Sequence, residues 1–226
     1  MPKALILQGG WDGHHPAAFA ELAAGMLRDA GHHVAVSGTL DTLLDPEATN
    51  GLDLIVPIWT MGKLSQEQWK PMDAAVRGGC GVAGFHGGMV DAFREHAEYQ
   101  WMTGAQWVAH PGDARLTYEV AVTDPGHEIT RGLPARFTLG PTEQYYCHHD
   151  PGNHVLCTTT FDQGAGDPSL YHQGVVMPYA WTKRWGKGRV FCAAWGHTPA
   201  DFEEPTAREV VRRGLLWATR TPTPHA

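Results

Sequence analysis

The hydrophobic pattern in the first half of the chain alternates between short apolar runs and stretches of helical periodicity. Apolar runs that end at glycine or polar positions are typical of buried parallel strands, and four are predicted, at residues 4–8, 32–38, 52–59 and 81–88. Helices are predicted between them, beginning at Pro16, at Ser65 with a capping box to Gln68, and at residue 90. Pro71 lies inside the second helix and predicts a kink there.

The second half of the chain has a different pattern, rich in β-branched and aromatic residues between glycine, aspartate and proline turns. It predicts five strands, at residues 115–123, 136–146, 153–161, 175–183 and 188–196. A closing helix is predicted over 200–220. We therefore expect an α/β fold in which a doubly wound sheet, parallel at its centre with helices on both faces, gains antiparallel strands. Residues 1–220 should form one domain, with 221–226 as a flexible tail.

Composition and charge exclude several classes of protein. The 226 residues have a formal net charge of −7, which disfavours binding to nucleic acid or to an anionic membrane. No apolar run approaches the roughly 18 to 20 residues of a membrane helix, and the start of the chain does not read as a signal peptide. We expect a cytoplasmic protein whose four scattered cysteines are reduced. Nine tryptophans favour an apolar surface patch and a homo-oligomer.

Two glycine-rich loops follow predicted strands, and ligands of open α/β sheets gather at the carboxyl ends of the strands. The loop at 9–15 combines glycines, which let the backbone approach a ligand, with a following helix N-terminus. It lacks the spacing of a dinucleotide fingerprint. The loop at 84–88 has the spacing of a nucleophile elbow, but it carries His86 where serine or cysteine is usual. Imidazole in this position can transfer a proton or bind a metal.

A carboxylate and a further histidine are the other candidates for chemistry. Glu143 lies in an aromatic, otherwise uncharged stretch, and His197 follows the last predicted strand. Imidazole and carboxylate groups are zinc ligands, although the sequence has no H-E-x-x-H spacing, so both acid–base and metal chemistry stay open. The candidate catalytic residues are His86, Glu143 and His197. The residues of the right type to bind a divalent metal such as zinc are His14 or His15, His86, Glu143 and His197, and of these we assign His15, His86 and His197 as the candidate ligands. Three further histidines, His148, His149 and His154, are expected to be exposed.

Several motifs, with the loop at 84–88 among them, resemble the ThuA-like family, named for trehalose utilisation. The matching segments are G-F-H-G-G at 84–88, H-E-I-T-R-G-L-P at 127–134, E-Q-Y-Y at 143–146 and the long aromatic segment at 178–202. The resemblance implies a flavodoxin-like three-layer sandwich of the class I glutamine amidotransferase type, with a mainly parallel central sheet. In those amidotransferases a cysteine occupies the elbow. Here His86 replaces it and His197 matches the downstream histidine, which argues against a cysteine-dependent glutaminase.

The resemblance also implies a role in the metabolism of disaccharides or their keto derivatives. The leading hypothesis is an enzyme that acts on such a sugar through acid–base or metal-assisted chemistry. The alternatives are a non-catalytic sugar-binding or regulatory module and an amidotransferase-type hydrolase that uses Cys80 or another thiol. Trp107 is a further candidate for stacking on a sugar ring. The candidate substrate-binding residues are Gly10, Trp11, His14, His15, Trp59, Gly87, Tyr145 and Trp195.

Overall fold

The computed structural model describes residues 1–162 and 173–220, and the following elements lie within them. The strands are β1 Lys3–Gly10, β2 His33–Ser37, β3 Leu54–Thr60, β4 Gly81–Phe85, β5 Ala105–Ala109, β6 Leu116–Val122, β7 Arg136–Thr142, β8 Tyr146–His149, β9 His154–Phe161, β10 Val175–Trp185 and β11 Gly188–Ala193. The helices are α1 Pro16–Asp29, α2 Pro46–Thr49, α3 Gln66–Arg77, α4 Gly87–Val90, α5 Ala97–Thr103 and α6 Pro205–Ala218. The predicted tail, 221–226, lies outside the described residues.

Nine of these strands form one sheet, in the order β2-β1-β3-β4-β11-β10-β9-β6-β7. The first five strands in this order, from β2 through β4 to β11, are parallel. The remaining four, β10, β9, β6 and β7, are added by antiparallel pairing. A separate antiparallel pair joins β5 to β8. The predicted α/β sandwich with a parallel centre and antiparallel additions is confirmed.

The central strands are buried because helices cover the sheet. All five positions of β4 are buried, which matches its uninterrupted apolar sequence. Helices α1 and α6 pack against each other and against β1, β4 and β11, and α5 packs against β10 and β11. Among the helices of the described residues, none is long and apolar enough to cross a membrane.

Helix boundaries show where local signals hold and where they fail. The capping box between Ser65 and Gln68 is present, and α3 runs as one helix through Pro71. The helix predicted from residue 90 to 104 is wrong as a single element, because the chain turns after α4 and restarts as α5. Phe93, in the segment between the two helices, has a φ of 49°, and the His96 side chain accepts a hydrogen bond from Tyr99 N at the start of the second helix.

Strand boundaries differ from the prediction in the same part of the chain. The predicted strand at 136–146 is two strands, β7 and β8, separated by residues 143–145. The sequence pattern does not predict the short strand β5, whose five residues follow the predicted helix at 90–104 and precede the predicted strand at 115–123. Both differences matter for function because the segment between β7 and β8 carries Glu143.

A histidine–glutamate cluster at the carboxyl edge of the sheet

Four side chains converge at the edge where the parallel strands end. One candidate ligand atom from each of His14, His86, Glu143 and His197 lies within 4.8 Å of the others. His14 ends a short 3-10 turn after β1, His86 joins β4 to α4, and His197 follows β11. Because β1, β4 and β11 all belong to the parallel part of the sheet, their carboxyl ends lie at one edge and bring the three imidazoles together. Glu143 follows β7, the strand at the opposite edge of the sheet.

His86 occupies a strained elbow. Its φ of 47° and ψ of −134° lie in a region that residues other than glycine rarely adopt. The backbone N–H of His86 donates to Ala193 O at 2.7 Å, and the Nδ1–H donates to Ala194 O at 3.1 Å. The ring of Tyr145 stacks on the imidazole, with the ring centroids 3.8 Å apart. The elbow therefore presents the Nε2 atom of His86 to the cluster in a fixed orientation.

His14 is held by Thr60, the last residue of β3. Its Nδ1 lies 2.8 Å from Thr60 Oγ1, and the side chain is buried. Gly87 borders this pair: a Cβ atom added there would lie 2.4 Å from Thr60 Oγ1 and 2.5 Å from His14 Nδ1. Position 87 must therefore be glycine for His14 to occupy its place.

Glu143 and His197 are positioned by hydrogen bonds from several strands. Tyr118 Oη donates to Glu143 O at 2.8 Å, which fixes the segment between β7 and β8. The buried carboxylate of Asp201 accepts from His197 N at 2.7 Å and from Thr142 Oγ1 at 2.9 Å. Asp201 thus ties the His197 loop to the residue that precedes Glu143.

The Oε2 atom of Glu143 is the centre of the cluster. It lies 3.2 Å from His86 Nε2, 3.2 Å from His197 Nδ1 and 3.8 Å from His14 Nε2. Within the described residues, Oε2 of Glu143, Nε2 of His86 and Nδ1 of His197 are all buried without a hydrogen-bond partner. The carboxylate oxygen of Glu143 and one ring nitrogen from each of three histidines therefore surround one small space.

The protonation states follow from burial and from the neighbouring charges. Burial lowers the pKa of His86 to about 4, although Glu143 acts in the opposite direction. Burial also raises the pKa of Glu143, but the imidazoles of His14, His197 and His86 outweigh this effect and leave its pKa well below the usual range. At neutral pH the site is a carboxylate facing a neutral His86.

The outer oxygen of Glu143 faces a fourth histidine, His110. Its Nε2 atom lies 3.8 Å from Oε1 of Glu143, and its side chain is 33% exposed. Trp107 lies beside this ring at a centroid distance of 5.6 Å, and the guanidinium of Arg94 covers Trp107 at 4.3 Å. His110 is not among the site residues that the sequence predicts, although it directly follows the strand β5.

Two predicted site residues lie outside the cluster. His15 is exposed and adopts a left-handed conformation at the start of α1, so it lies outside the cluster, and of the two adjacent histidines it is His14 that joins the cluster. Trp195 is fully buried and packs against Phe137, so it cannot stack on a sugar. Tyr145 is also fully buried, and its ring stacks on the imidazole of His86.

Other predicted residues line the approach to the cluster. Trp11 is 48% exposed, and its ring lies 4.8 Å from that of His14. Gly10 is exposed with a φ of 81°, in close contact with the backbone of Thr60. Trp59 is half-buried and covers the backbone of Gly9.

The remaining histidines and the cysteines do not join this cluster. His148 and His154 are exposed as predicted, but His149 is half-buried and both of its ring nitrogens are buried without a partner in the described residues. All four cysteines are buried and free, and burial raises the pKa of Cys80 to about 12. The structure therefore offers no activated thiol among its cysteines.

The fold and the elbow together define an α/β sandwich with a mainly parallel centre and a histidine, His86, at the turn between β4 and α4. The model of the ThuA family, described as trehalose utilisation, matches residues 3–218, and the chain belongs to this family. Membership supports a role in carbohydrate utilisation. No functionally curated protein matches the sequence.

Solved structures show the same fold at low sequence identity. A ThuA-like protein from Parabacteroides merdae has a TM-score of 0.74 and 19% identity, over 99% of this chain and 93% of that chain. A ThuA-like protein from Bacteroides uniformis has a TM-score of 0.73 and 17% identity, over 96% and 91%. A protein described as cytoplasmic, from Salmonella typhimurium LT2, has a TM-score of 0.68 and 14% identity, over 97% and 100%.

Proposed function

We propose that this protein is a carbohydrate-utilisation enzyme that acts on a disaccharide or keto-glycoside. In this proposal His14, His86, Glu143 and His197 hold a divalent metal ion such as zinc. The family supports the substrate class, and the chemistry of the cluster supports the metal. Imidazole nitrogen and carboxylate oxygen are donors that zinc accepts.

One observation carries the metal assignment. The Nδ1 atom of His86 must carry the proton, because it faces the carbonyl oxygen of Ala194 at 3.1 Å. The Nε2 atom of the neutral ring therefore presents a lone pair, 3.2 Å from the Oε2 atom of the Glu143 carboxylate. Two electron-rich atoms repel each other at this distance unless a cation lies between them. The low pKa of His86 disfavours a proton in that role.

The chain's own residues fix the donors and supply the charge. A bound divalent ion would polarise a carbonyl or hydroxyl oxygen of the sugar. Ala194 O and Thr60 Oγ1 bind the Nδ1 atoms of His86 and His14, so both rings direct Nε2 towards Glu143. The Glu143 carboxylate supplies negative charge at the centre of the cluster, and the burial of His86 and Glu143 keeps water away from their unpartnered atoms.

The proposal is tested by zinc binding and turnover in matched carboxylate variants. Wild type and Glu119→Gln, an exposed carboxylate on β6, should each bind one zinc ion per chain in equilibrium dialysis with elemental analysis. Glu143→Gln should bind zinc at least about a hundredfold more weakly, because it loses a direct ligand. Turnover of trehalose or its keto derivative, followed by product chromatography, should need the ion.

Two outcomes would contradict this proposal. Wild-type zinc affinity in Glu143→Gln would show that the cluster is not the metal site. Saturable sugar binding by the zinc-loaded wild type, with no product from any tested disaccharide or keto-glycoside, would favour a non-catalytic binding module instead.

A further inference from the structure

Glu143 presents its two oxygens to two different environments. Oε2 is buried among the three imidazoles and has no hydrogen-bond partner in the described residues. Oε1 lies on the other side of the carboxylate, 3.8 Å from Nε2 of His110. The His110 side chain is 33% exposed, whereas that of Glu143 is 8% exposed, so His110 lies between the carboxylate and solvent.

The distance between Oε1 and Nε2 suits a bridging hydroxyl group. At 3.8 Å the two atoms are too far apart for a direct hydrogen bond, which needs about 2.7 to 3.2 Å. One hydroxyl oxygen can lie within hydrogen-bond distance of both, accepting from Nε2–H of His110 and donating to Oε1 of Glu143. A carboxylate that accepts such a bond makes it a charge-assisted one.

His110 is bordered by a carboxylate and an indole. Its Nδ1 atom lies 3.6 Å from Asp113 Oδ1 and is buried without a hydrogen-bond partner in the described residues. Trp107 borders the ring, and Arg94 is fixed over Trp107 by two hydrogen bonds to Asp91, at 2.5 and 3.1 Å. Because Nε and Nη2 of Arg94 donate to the Asp91 carboxylate, the guanidinium charge beside Trp107 is already neutralised.

We propose that His110 and Oε1 of Glu143 form a hydroxyl-binding subsite that selects neutral sugars over phosphorylated ones. This inference rests on the proposed function, since it names the sugar class that the same site takes. A hydroxyl group meets a donor and an acceptor there. A fully ionised phosphate group has no hydrogen to donate to Oε1 of Glu143, so its oxygens would face that carboxylate oxygen and be repelled by it.

The test compares two substitutions of His110 in zinc-loaded protein, with trehalose and trehalose 6-phosphate as the probes in calorimetric titrations. His110→Gln keeps an N–H donor on a flexible side chain, whereas His110→Leu removes the donor at similar volume. His148→Leu is the matched control, because His148 is an exposed histidine on the paired strand β8. Zinc stoichiometry and melting temperature are measured for each variant.

Wild type and His148→Leu should bind trehalose at least about tenfold more tightly than the phosphate ester. His110→Leu should lose about tenfold in trehalose affinity, as expected for the loss of the hydrogen bond from His110 to the sugar hydroxyl, and should keep its zinc. His110→Gln should regain most of that loss. Unchanged trehalose affinity in His110→Leu, or tighter binding of the phosphate ester by wild type, overturns the subsite alone. Failure of wild type to bind either sugar overturns the proposed function and the subsite with it.

Discussion

Two parts of the molecule each bury a histidine, and the comparison shows what distinguishes a site from a packed side chain. Burial lowers the pKa of both His86 and His149 to about 4. His86 donates from Nδ1 to Ala194 O and directs Nε2 at a carboxylate. Both nitrogens of His149 are buried without a partner in the described residues, and its ring lies against the edge of Trp181.

The difference is convergence. Near His86, two further imidazoles and a carboxylate approach from separate elements, and each is held by a partner outside the cluster. Next to His149, His148 is exposed and its charge also lowers the pKa of His149, while the carboxylate of Asp150 is paired with Lys183. A shifted pKa alone therefore records burial, whereas fixed donor atoms around one carboxylate indicate chemistry.

The largest effect that separates the two regions should come from zinc. At a zinc concentration about a thousandfold above its dissociation constant, binding adds about 4 kcal/mol to the free energy of unfolding. For a chain of this size that raises the melting temperature by on the order of 10 °C. Differential scanning calorimetry with zinc and with a chelator should show this rise in wild type and in His149→Ala.

His86→Ala is the variant that should lose the rise, because it removes a ligand. An equal zinc-induced shift in His86→Ala and wild type would show that the ion binds elsewhere. Loss of the shift in His149→Ala would place His149 in the metal site and remove the contrast between the two regions.

The sequence predicted the part of the site that depends on strand order alone. Apolar runs and the elbow glycines indicate where β1, β4 and β11 end, and parallel neighbours must present those ends at one edge. The placement of His86 and His197 follows from this pattern. It stays a prediction that these residues take part in catalysis.

The rest of the site depends on three-dimensional packing that no local pattern encodes. Glu143 reaches the cluster because its segment leaves β7, at the far end of the sheet, and is held by Tyr118 from β6. The choice between His14 and His15 depends on one left-handed residue at the start of α1. Asp201 contributes through hydrogen bonds to His197 and Thr142, which precede it in the chain by 4 and 59 positions.

The second prediction concerns His149 and the dependence of stability on pH. The unfolded chain takes up a proton on His149 near pH 6.5, whereas the folded protein does so only near pH 4. Stability is therefore lost as the pH falls through this window, by about 3 kcal/mol in total. His149→Leu should remove that loss, so urea unfolding of metal-free protein at several pH values between 4 and 7 should give a shallower slope than wild type.

His33→Gln, at an exposed histidine on β2, is the control and should keep the wild-type slope. If His149→Leu unfolds with the same pH dependence as wild type, the folded-state pKa of His149 is not lowered. The comparison with His86 would then rest on geometry alone.

The smallest effect should come from the glycine that borders His14. A Cβ atom at position 87 would meet Thr60 Oγ1 and His14 Nδ1 at 2.4 and 2.5 Å, so Gly87→Ala must displace one of them. We expect a loss of about 1 to 3 kcal/mol in the free energy of unfolding and about a tenfold loss in zinc affinity. Gly25→Ala is the matched control, because a Cβ atom there meets nothing within 4 Å and α1 should gain about 0.5 to 1 kcal/mol. If Gly87→Ala binds zinc with wild-type affinity, the position of the His14 ring does not control metal binding. The contrast between the cluster at His86 and the region of His149 would then not depend on how His14 is held.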